Sequence, residues 1–411
     1  MSGDPKLVVL AYSGGLDTSV AVRWMIENHR VEVIALAVDI GQSSEDWGVI
    51  RARALAAGAA DAIVVDGREE FARDYCMPAL KANALYEGRY PLVSALSRPL
   101  IVKHLVRAAR EHGADAVAHG CTGKGNDQVR FELATRALAS DLEVLAPVRS
   151  WGLSREESIS YAHEHDIPIS ATKEKLYSID DNLWGRAIEC GEMEDPWLAP
   201  PRDVWSLTEP IAVDADDGQG GPGPGREVLL GFEAGVPISI DGQVLGSAEL
   251  ITTLNGIVGS YGWGRVDMVE NRRVGIKSRE TYECPGALAL LMAHADLEGI
   301  CLERDLVREK SRLEPRYAEL VYDGLWFSPL KQALDAFVDE SQRFVTGDVR
   351  LELSPGSCIV TGRRSPYSLY DYGLATYDAA DSFRHADSEG FVRLWGLGIE
   401  TWAVAQGTDP P

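Results

Sequence analysis

The chain has 411 residues, a length that fits two or three domains. Of these residues 45% are hydrophobic and 25% charged, a composition typical of a globular protein. Its 40 Lys and Arg residues against 63 Asp and Glu residues give a formal net charge of −23, which argues against binding a nucleic-acid backbone. No apolar run approaches the roughly 18 residues of a membrane span, and the N-terminus shows no signal-peptide pattern, so we expect a cytoplasmic protein.

Short β-branched runs alternate with amphipathic segments in the first part of the chain. The predicted strands are Leu7–Ala11, Val31–Val38, Ala62–Val65, Ala114–Ala118 and Val144–Val148. The predicted helices include Ser19–Asn28, Ala52–Ala59 and Pro99–His112. This alternation predicts βαβ units and an α/β fold with a doubly wound parallel sheet. Ligands of such sheets bind in loops beyond the carboxyl ends of the strands.

The pattern changes after about residue 172, where hairpins and longer helices predict an α+β domain. The predicted elements are strands Glu227–Phe232, Val236–Ile240, Val349–Leu353 and Ser357–Thr361, and helices Ala248–Val258 and Pro285–Leu297. The glycine- and proline-rich stretch 218–225 predicts a surface loop, with an interdomain linker as the alternative.

The segment Phe391–Ala405 predicts a terminal helix that is too apolar to stand alone in water. We expect it to dock on another subunit, with docking on its own chain as the alternative. The sequence thus predicts domains at 1–172 and 173–383, followed by a C-terminal helix and tail at 384–411. Six scattered cysteines without a C-x-x-C pair predict free thiols rather than disulfides or a zinc site.

The first chemical motif, SGGLDTS at 13–19, follows the first predicted strand and opens the first predicted helix. Its glycines let backbone N–H groups approach an anion, its hydroxyl groups add donors, and the helix N-terminus adds a favourable dipole. The motif predicts a phosphate cradle, with a tight structural turn as the alternative. It is neither a Walker A loop nor a dinucleotide fingerprint, because the Gly-Lys-Ser/Thr and G-x-G-x-x-G patterns are absent.

A second glycine-rich loop, HGCTGKGNDQVR at 119–130, follows the predicted strand Ala114–Ala118. Asn126 and Asp127 are residue types that start helices, while Lys124 and Arg130 bring positive charge to the same edge of the sheet. A plain loop with a helix cap is the alternative, but two polar glycine loops at one edge favour a binding site.

These motifs resemble those of the argininosuccinate synthase family, and SGGLDTS resembles the pyrophosphate loop of the wider N-type ATP pyrophosphatases, whose nucleotide-binding fold is adenine nucleotide alpha hydrolase-like. The other motifs that carry the resemblance are ALYEGRYPL at 84–92, SRP at 97–99, HGCTGKGNDQVRFE at 119–132, YSIDDNL at 177–183, VENR at 269–272, KSRETYECP at 277–285 and SPYSLY at 365–370. They occur in the family's order, so the likeness covers nearly the whole chain.

The resemblance implies an ATP-dependent carbon–nitrogen ligase that joins citrulline to aspartate through a citrullyl-adenylate, releasing AMP and pyrophosphate. It implies ATP contacts by Ala11, Tyr12, Ser13, Gly14, Gly15, Leu16, Asp17, Thr18, Ser19, Val38 and Gly120. It implies aspartate contacts by Thr122, Asn126 and Asp127. It implies citrulline contacts by Tyr90, Asn126, Arg130, Ser178, Glu270 and Tyr282, with Arg130 on the carboxylate and Glu270 on the ammonium. No residue is assigned as a general acid, a general base or a nucleophile.

Magnesium is expected with ATP, and its ligands stay unassigned because Asp17 suits both a metal ligand and a helix start. The resemblance also implies a homotetramer. The chain departs from the family at Ala187, where members often carry serine, and at Ala95, where some members do. One or two citrulline hydrogen bonds are therefore missing, made by water, or supplied by Ser94.

Two other functions compete. An amidating or tRNA-thiolating pyrophosphatase would need an ammonia source, or a basic face and a cysteine pair, and the sequence has neither pattern. A nucleotide sensor would have no need of the amino-acid-binding positions Thr122, Asn126, Asp127 and Arg130.

Overall fold

The computed structural model describes residues 6–42, 46–168, 177–210 and 225–407. Apart from Gly225, the glycine-rich stretch 218–225 lies outside these residues. Contacts divide the chain into two compact units, Met1–Tyr367 and Ser368–Pro411. In the described part of the chain, none of the helices combines the length and apolar character needed to span a membrane.

The first unit contains three sheets. Its strands are β1 (Leu7–Ala11), β2 (Glu32–Asp39), β3 (Asp61–Asp66), β4 (Ala116–Ala118), β5 (Glu143–Leu145), β6 (Ser178–Asn182), β7 (Gly185–Glu189), β8 (Arg226–Glu233), β9 (Val236–Ile240), β10 (Gln243–Val244), β11 (Arg265–Asn271), β12 (Lys277–Glu283), β13 (Gly347–Ser354) and β14 (Ser357–Arg364). Its helices are α1 (Leu16–His29), α2 (Trp47–Ala56), α3 (Arg68–Phe71), α4 (Met77–Lys81), α5 (Val93–His112), α6 (Asp127–Leu138), α7 (Pro147–Trp151), α8 (Arg155–Glu164), α9 (Ser247–Gly259), α10 (Pro285–Cys301), α11 (Arg304–Tyr322) and α12 (Pro329–Gln342).

The parallel sheet has five strands in the order β3-β2-β1-β4-β5. Alternate residues of β1 enter different apolar clusters: Val9 and Ala11 pack on one face, and Val8 and Leu10 on the other. A strand with both faces buried is typical of a parallel sheet covered by helices on both sides. The structure therefore confirms the predicted doubly wound fold.

Two antiparallel sheets complete the first unit. One has the order β10-β9-β8-β13-β14, and the other has the order β11-β12-β7-β6. The core that covers one face of the parallel sheet continues without a break through α5, α9 and α10 to the strands of the first antiparallel sheet. The α+β character predicted for the second part of the chain is confirmed.

The predicted strand Val144–Val148 is wrong at its end. Strand β5 stops at Leu145, and Pro147 begins α7. Proline lacks the N–H that a strand ladder needs and suits the first position of a helix, which explains the difference. The sequence analysis also identified no strands in the sheet formed by β6, β7, β11 and β12.

The second unit contains α13 (Tyr372–Ala375) and α14 (Ala386–Gln406). The predicted terminal helix is confirmed, and no residue of α14 is buried. Its large apolar side chains include Phe391, Leu394 and Trp395, which are 62%, 71% and 80% exposed. The division at 1–172, 173–383 and 384–411 stays a prediction.

Candidate functional site

The parallel sheet has a single point where its strand order reverses. From β1 the chain builds outward to β2 and β3, and it then returns to place β4 on the other side of β1. The loops that follow β1 and β4 leave the sheet in opposite directions there, which opens a crevice. Both glycine-rich loops identified in the sequence therefore border the same crevice.

A cavity of about 660 Å³ occupies this crevice, and we call it the nucleotide cavity. The predicted ATP contacts that line it are Ala11, Tyr12, Ser13, Gly14, Gly15, Thr18, Val38 and Gly120. Three predicted contacts do not line it. Ser19 is fully buried and bonds the Tyr12 hydroxyl at 2.9 Å, Leu16 packs against the apolar core, and Asp17 is exposed.

Two close approaches shape this cavity. Gly14 has a φ of 73°, a conformation that favours glycine, and Arg53 donates a hydrogen bond to its carbonyl oxygen. A Cβ added to Gly120 would lie 2.7 Å from the Cγ2 of Thr18, so only glycine lets the second loop come this close to the first. The Ser13 and Thr18 hydroxyls lie 3.1 Å apart at the start of α1. Hydroxyl groups, a helix N-terminus and close backbone together suit an anionic group.

A second cavity, of about 190 Å³, adjoins the first, and we call it the amino-acid cavity. All six predicted citrulline contacts line it: Tyr90, Asn126, Arg130, Ser178, Glu270 and Tyr282. Their positions span almost 200 residues of sequence, and the fold alone brings them together.

One face of the sheet β11-β12-β7-β6 forms a wall of the amino-acid cavity. Ala187 pairs with Asp180 on one side and with Tyr282 on the other, so these three side chains form a row across three strands. Residues two apart on a strand share a face, which adds Ser178, Glu189 and Glu280 to the same wall. Ala187 thus lies in the wall, whereas Ala95 is buried and lines neither cavity.

Glu270 lies at the centre of a hydrogen-bonded aromatic cluster. The hydroxyl groups of Tyr282 and Tyr322 donate to its two carboxylate oxygens at 2.8 and 2.6 Å. Burial, followed by the nearby carboxylates and aromatic groups, raises the pKa of both tyrosines well above the ordinary value, so both stay protonated donors. Glu270 is only 3% exposed, which is unlike the solvated charged turn that its neighbours Arg272 and Arg273 would suggest.

Asn126 begins α6 without capping it. Its side-chain nitrogen donates to the Tyr322 hydroxyl at 2.8 Å, and its oxygen accepts the N–H of Arg273 at 2.9 Å. Arg130 donates from Nε to the Tyr322 carbonyl oxygen at 2.9 Å. The chain can approach this closely because Gly324 follows, with a φ of 76°; a Cβ there would lie 2.8 Å from the Cα of Arg130.

Three charged residues line both cavities and form the junction between them: Arg98, Asp127 and Asp180. Arg98 contacts the carboxylates of Asp127 and Asp180 at 2.7 and 2.6 Å, and Arg130 contacts Asp127 at 2.9 Å. Burial would raise the pKa of Asp127, but the two arginines outweigh it and hold that pKa well below its ordinary value. Asp127 is therefore ionised at neutral pH.

The residues that line the cavities differ from the predicted contacts in both directions. Thr122, a predicted aspartate contact, is exposed and lines neither cavity. Six further residues line the amino-acid cavity although no role was predicted for them: Arg98, Asp180, Glu189, Arg272, Glu280 and Tyr322. Arg98 and Asp180 lie inside quoted motifs and could have been found there. Tyr322 lies in no recognised motif, so no sequence signal marks it.

Three other features of the described residues bear on metal binding, thiol chemistry and ligand binding. They contain no group of three or more His, Cys, Asp or Glu side chains that could hold a metal ion. All six cysteines are free thiols, as predicted, and burial raises the pKa of the Cys121 thiol, so it is a poor nucleophile. A third groove, of about 550 Å³ on the sheet of β8, β13 and β14, is lined mainly by charged side chains in ion pairs and contains no predicted contact.

Comparison with known proteins gives matches along most of the chain. A family model described as the arginosuccinate synthase N-terminal HUP domain matches residues 7–168, and one described as the arginosuccinate synthase C-terminal domain matches residues 177–402. Among solved structures, the chain is similar to the U34-tRNA thiolase NcsA from Methanococcus maripaludis with its 4Fe-4S cluster, at 16% identity and a TM-score of 0.27. That match covers 42% of this chain and 60% of the length of the thiolase chain.

The two family models together cover nearly all the described residues of the parallel-sheet region, both antiparallel sheets and most of α14. The first match ends at residue 168 and the second begins at residue 177, and all the residues that line the two cavities fall within these matches. The chain therefore belongs to the argininosuccinate synthase family, the ATP-dependent ligases that make argininosuccinate in arginine biosynthesis.

Proposed function

We propose that the chain joins citrulline to aspartate in two steps: a citrullyl-adenylate forms from ATP with release of pyrophosphate, and aspartate then displaces AMP. The observation that carries this proposal is the junction of Arg98, Asp127 and Asp180, which lines both cavities. A nucleotide in one cavity and an amino acid in the other would meet there. Placing two reactants side by side is the main contribution that such a site can make.

Activation by ATP is needed because the carbon of a ureido group is a poor electrophile, stabilised by electron donation from its nitrogens. We propose that the segment 11–19, with Val38 and Gly120, binds ATP. The hydroxyl groups of Ser13 and Thr18 and the close approach of Gly120 support phosphate binding at this end of the sheet. Ser19 and Leu16 would act through the shape of the loop, since neither lines the cavity.

Citrulline is a zwitterion, and the amino-acid cavity offers a partner for each end. We propose that Arg130 binds its carboxylate and that Glu270 binds its ammonium, with Tyr90, Asn126, Ser178 and Tyr282 completing the site. Tyr90 and Tyr282 stack with ring centroids 4.2 Å apart, which supports a rigid wall. Ser94 also lines the cavity, and it can replace a hydrogen bond that Ala187 cannot make.

Aspartate would enter at the junction. We propose that Asp127 accepts its ammonium and that Asn126 and Thr122 bind its carboxylates. Asp127 suits this role because it is ionised and lines both cavities. Thr122 is exposed, so it would contribute only if the second loop closes over bound substrate.

Magnesium would arrive with ATP. Because the described residues contain no group of three or more His, Cys, Asp or Glu side chains suited to a metal, we propose that the phosphates of ATP are its main ligands. The protein ligands stay unassigned. The six free thiols support a cytoplasmic location. The domains that we propose remain 1–172, 173–383 and 384–411.

We propose a homotetramer in which α14 packs against other subunits. Its exposed apolar side chains would be costly in water, and burial against a partner would recover about 25 cal/mol for each Å² of apolar surface. Docking of α14 on its own chain is the alternative.

The adenylate mechanism predicts that labelled pyrophosphate exchanges into ATP when citrulline and magnesium are present and aspartate is absent. Adding aspartate should then yield argininosuccinate and AMP in equal amounts. The measurement is the rate of label transfer, with a reaction lacking citrulline as its control. Product formation without any exchange would contradict a releasable pyrophosphate step.

We predict that Asp127→Asn raises the KM for aspartate by about 10- to 100-fold, the usual loss for one charge-assisted hydrogen bond. The dissociation constant of ATP should change much less, by roughly threefold or below on the same scale. Steady-state kinetics and calorimetry measure the two quantities. Asp141→Asn is the control, because Asp141 pairs with Arg110 outside both cavities. Equal losses for ATP and aspartate would show that the role given to Asp127 is wrong.

Citrulline binding should depend on pH through Glu280. Burial, followed by the charge of Glu189, raises the pKa of Glu280 to about 8, so Glu280 is neutral near pH 7. The charge of Glu270 also raises this pKa, so an ammonium group bound to Glu270 would favour the ionised form of Glu280. The KM for citrulline should therefore fall as the pH rises from about 6.5 to about 8.5, by up to roughly tenfold. The Glu280→Gln variant should bind citrulline weakly, and its KM for citrulline should vary less with pH. An unchanged profile in that variant would contradict the assignment.

The tetramer predicts a solution mass of four chains of 44.8 kDa. Trp395→Glu should shift sedimentation towards smaller species, because it places a charge in the proposed interface. Arg393→Ala, on the same helix, is the matched control and should leave the mass unchanged. A monomeric wild-type chain would refute the assembly.

A further inference from the structure

Arg98 occupies a distinctive place between the cavities. Among the described residues that line both of them, it is the one cation; Asp127 and Asp180 are the other two members of the junction. It comes from the second turn of α5, and its side chain is 12% exposed. A reaction between a molecule in each cavity has to occur where the cavities meet, so the reacting atoms would lie beside this guanidinium group.

The contacts of Arg98 hold it in place but do not use all its donors. One terminal nitrogen donates to Asp127 at 2.7 Å and to Asp180 at 2.6 Å, and the other donates to the Ser97 hydroxyl at 2.9 Å. Its Nε is buried and has no acceptor among the described residues. A buried donor without a partner is unfavourable, so the contacts within the protein leave part of the donor capacity of Arg98 unsatisfied.

The Arg98 side chain stays positively charged. Burial would lower the pKa of Arg98, but Asp127 and Asp180 raise it well above its ordinary value. Without Arg98, Asp127 would keep Arg130 as its ion-pair partner and Asp180 would lose the partner shown for it, so the two carboxylates would repel a phosphate group. Arg98 therefore decides whether the junction accepts an anion.

We propose that Arg98 is a catalytic residue that neutralises the α-phosphate while the adenylate forms, and that Asp180 is its positioning residue. This inference rests on the proposed function. In the step, a lone pair of the ureido oxygen forms a bond to the α-phosphorus. The bond from that phosphorus to the bridging oxygen breaks, and pyrophosphate leaves with the electron pair.

Stabilisation is needed in this step because negative charge develops on the phosphate oxygens as the old bond breaks. A guanidinium group held in place by two carboxylates stabilises such charge more than it stabilises bound ATP. Its loss should therefore lower kcat for adenylation more than it weakens ATP binding.

The test is pyrophosphate exchange into ATP, with citrulline and magnesium but no aspartate, in the full-length enzyme. Arg98→Gln should lower the kcat of exchange on the order of a hundredfold, while the calorimetric dissociation constant of ATP changes by less than about threefold. Arg98→Lys should recover part of the rate, because it restores the charge without the planar fork. A near-normal kcat in Arg98→Gln, or a loss confined to ATP affinity, would overturn the proposal.

Arg279→Gln is the matched control for removing a buried arginine. Arg279 is 6% exposed and binds Asp267 through two nitrogens at 2.8 and 2.6 Å, and it lines neither cavity. Its exchange rate per folded site should equal that of the wild type. An equal loss in both variants would assign the effect on Arg98 to packing and overturn the proposal.

Asp180→Asn keeps the test open if Arg98→Gln does not fold. The guanidinium group remains but loses one anchor, so kcat should fall about tenfold with an unchanged KM for ATP; an unchanged kcat would count against the proposal. Wild-type enzyme without exchange or product would refute the proposed function itself. Exchange in the wild type together with a normal rate in Arg98→Gln would refute only the role of Arg98.

Discussion

The reversal of strand order between β1 and β4 is the constraint on which the site depends. It brings two loops, more than 100 residues apart in sequence, to opposite sides of one crevice. The loops meet closely only because Gly120 has no side chain to collide with Thr18. The glycines of the first loop and the hydroxyl groups at the start of α1 then face a space that a phosphate chain can enter.

The second wall obeys a different rule. Antiparallel pairing places Asp180, Ala187 and Tyr282 side by side, and the two-residue repeat of each strand repeats this pattern along the face. Parallel and antiparallel sheets thus contribute separate cavities, and α5 and α6 carry Arg98 and Asp127 to the line where they join. Two separate cavities that share three lining residues follow from this arrangement.

The sequence predicted the parallel sheet well because its strands are apolar on both faces. The phosphate loop at 13–19, inferred from glycine and hydroxyl residues at a strand end with a tight turn as the alternative, stays a prediction. The polar sheet was missed for a physical reason. Glu270 and Glu280 are buried at 3% and 5% exposure, so charged residues stand where a strand pattern expects apolar ones. Their burial is possible only because Tyr282, Tyr322 and Arg272 bond them. Tyr322 bonds Asn126 across 196 residues, a contact that no local pattern encodes.

The net charge of −23 opposes the approach of ATP and aspartate, because both are anions. The junction does not offset this repulsion with unpaired positive charge, because Arg98 and the adjacent Arg130 are already paired with Asp127 and Asp180. These two cations and two anions cancel, so an approaching phosphate gains little from them at long range. We therefore propose that initial binding comes from the backbone amides, hydroxyl groups and helix N-terminus of the glycine loops. The arginines can act at short range, once a substrate oxygen competes with a carboxylate for the same donor.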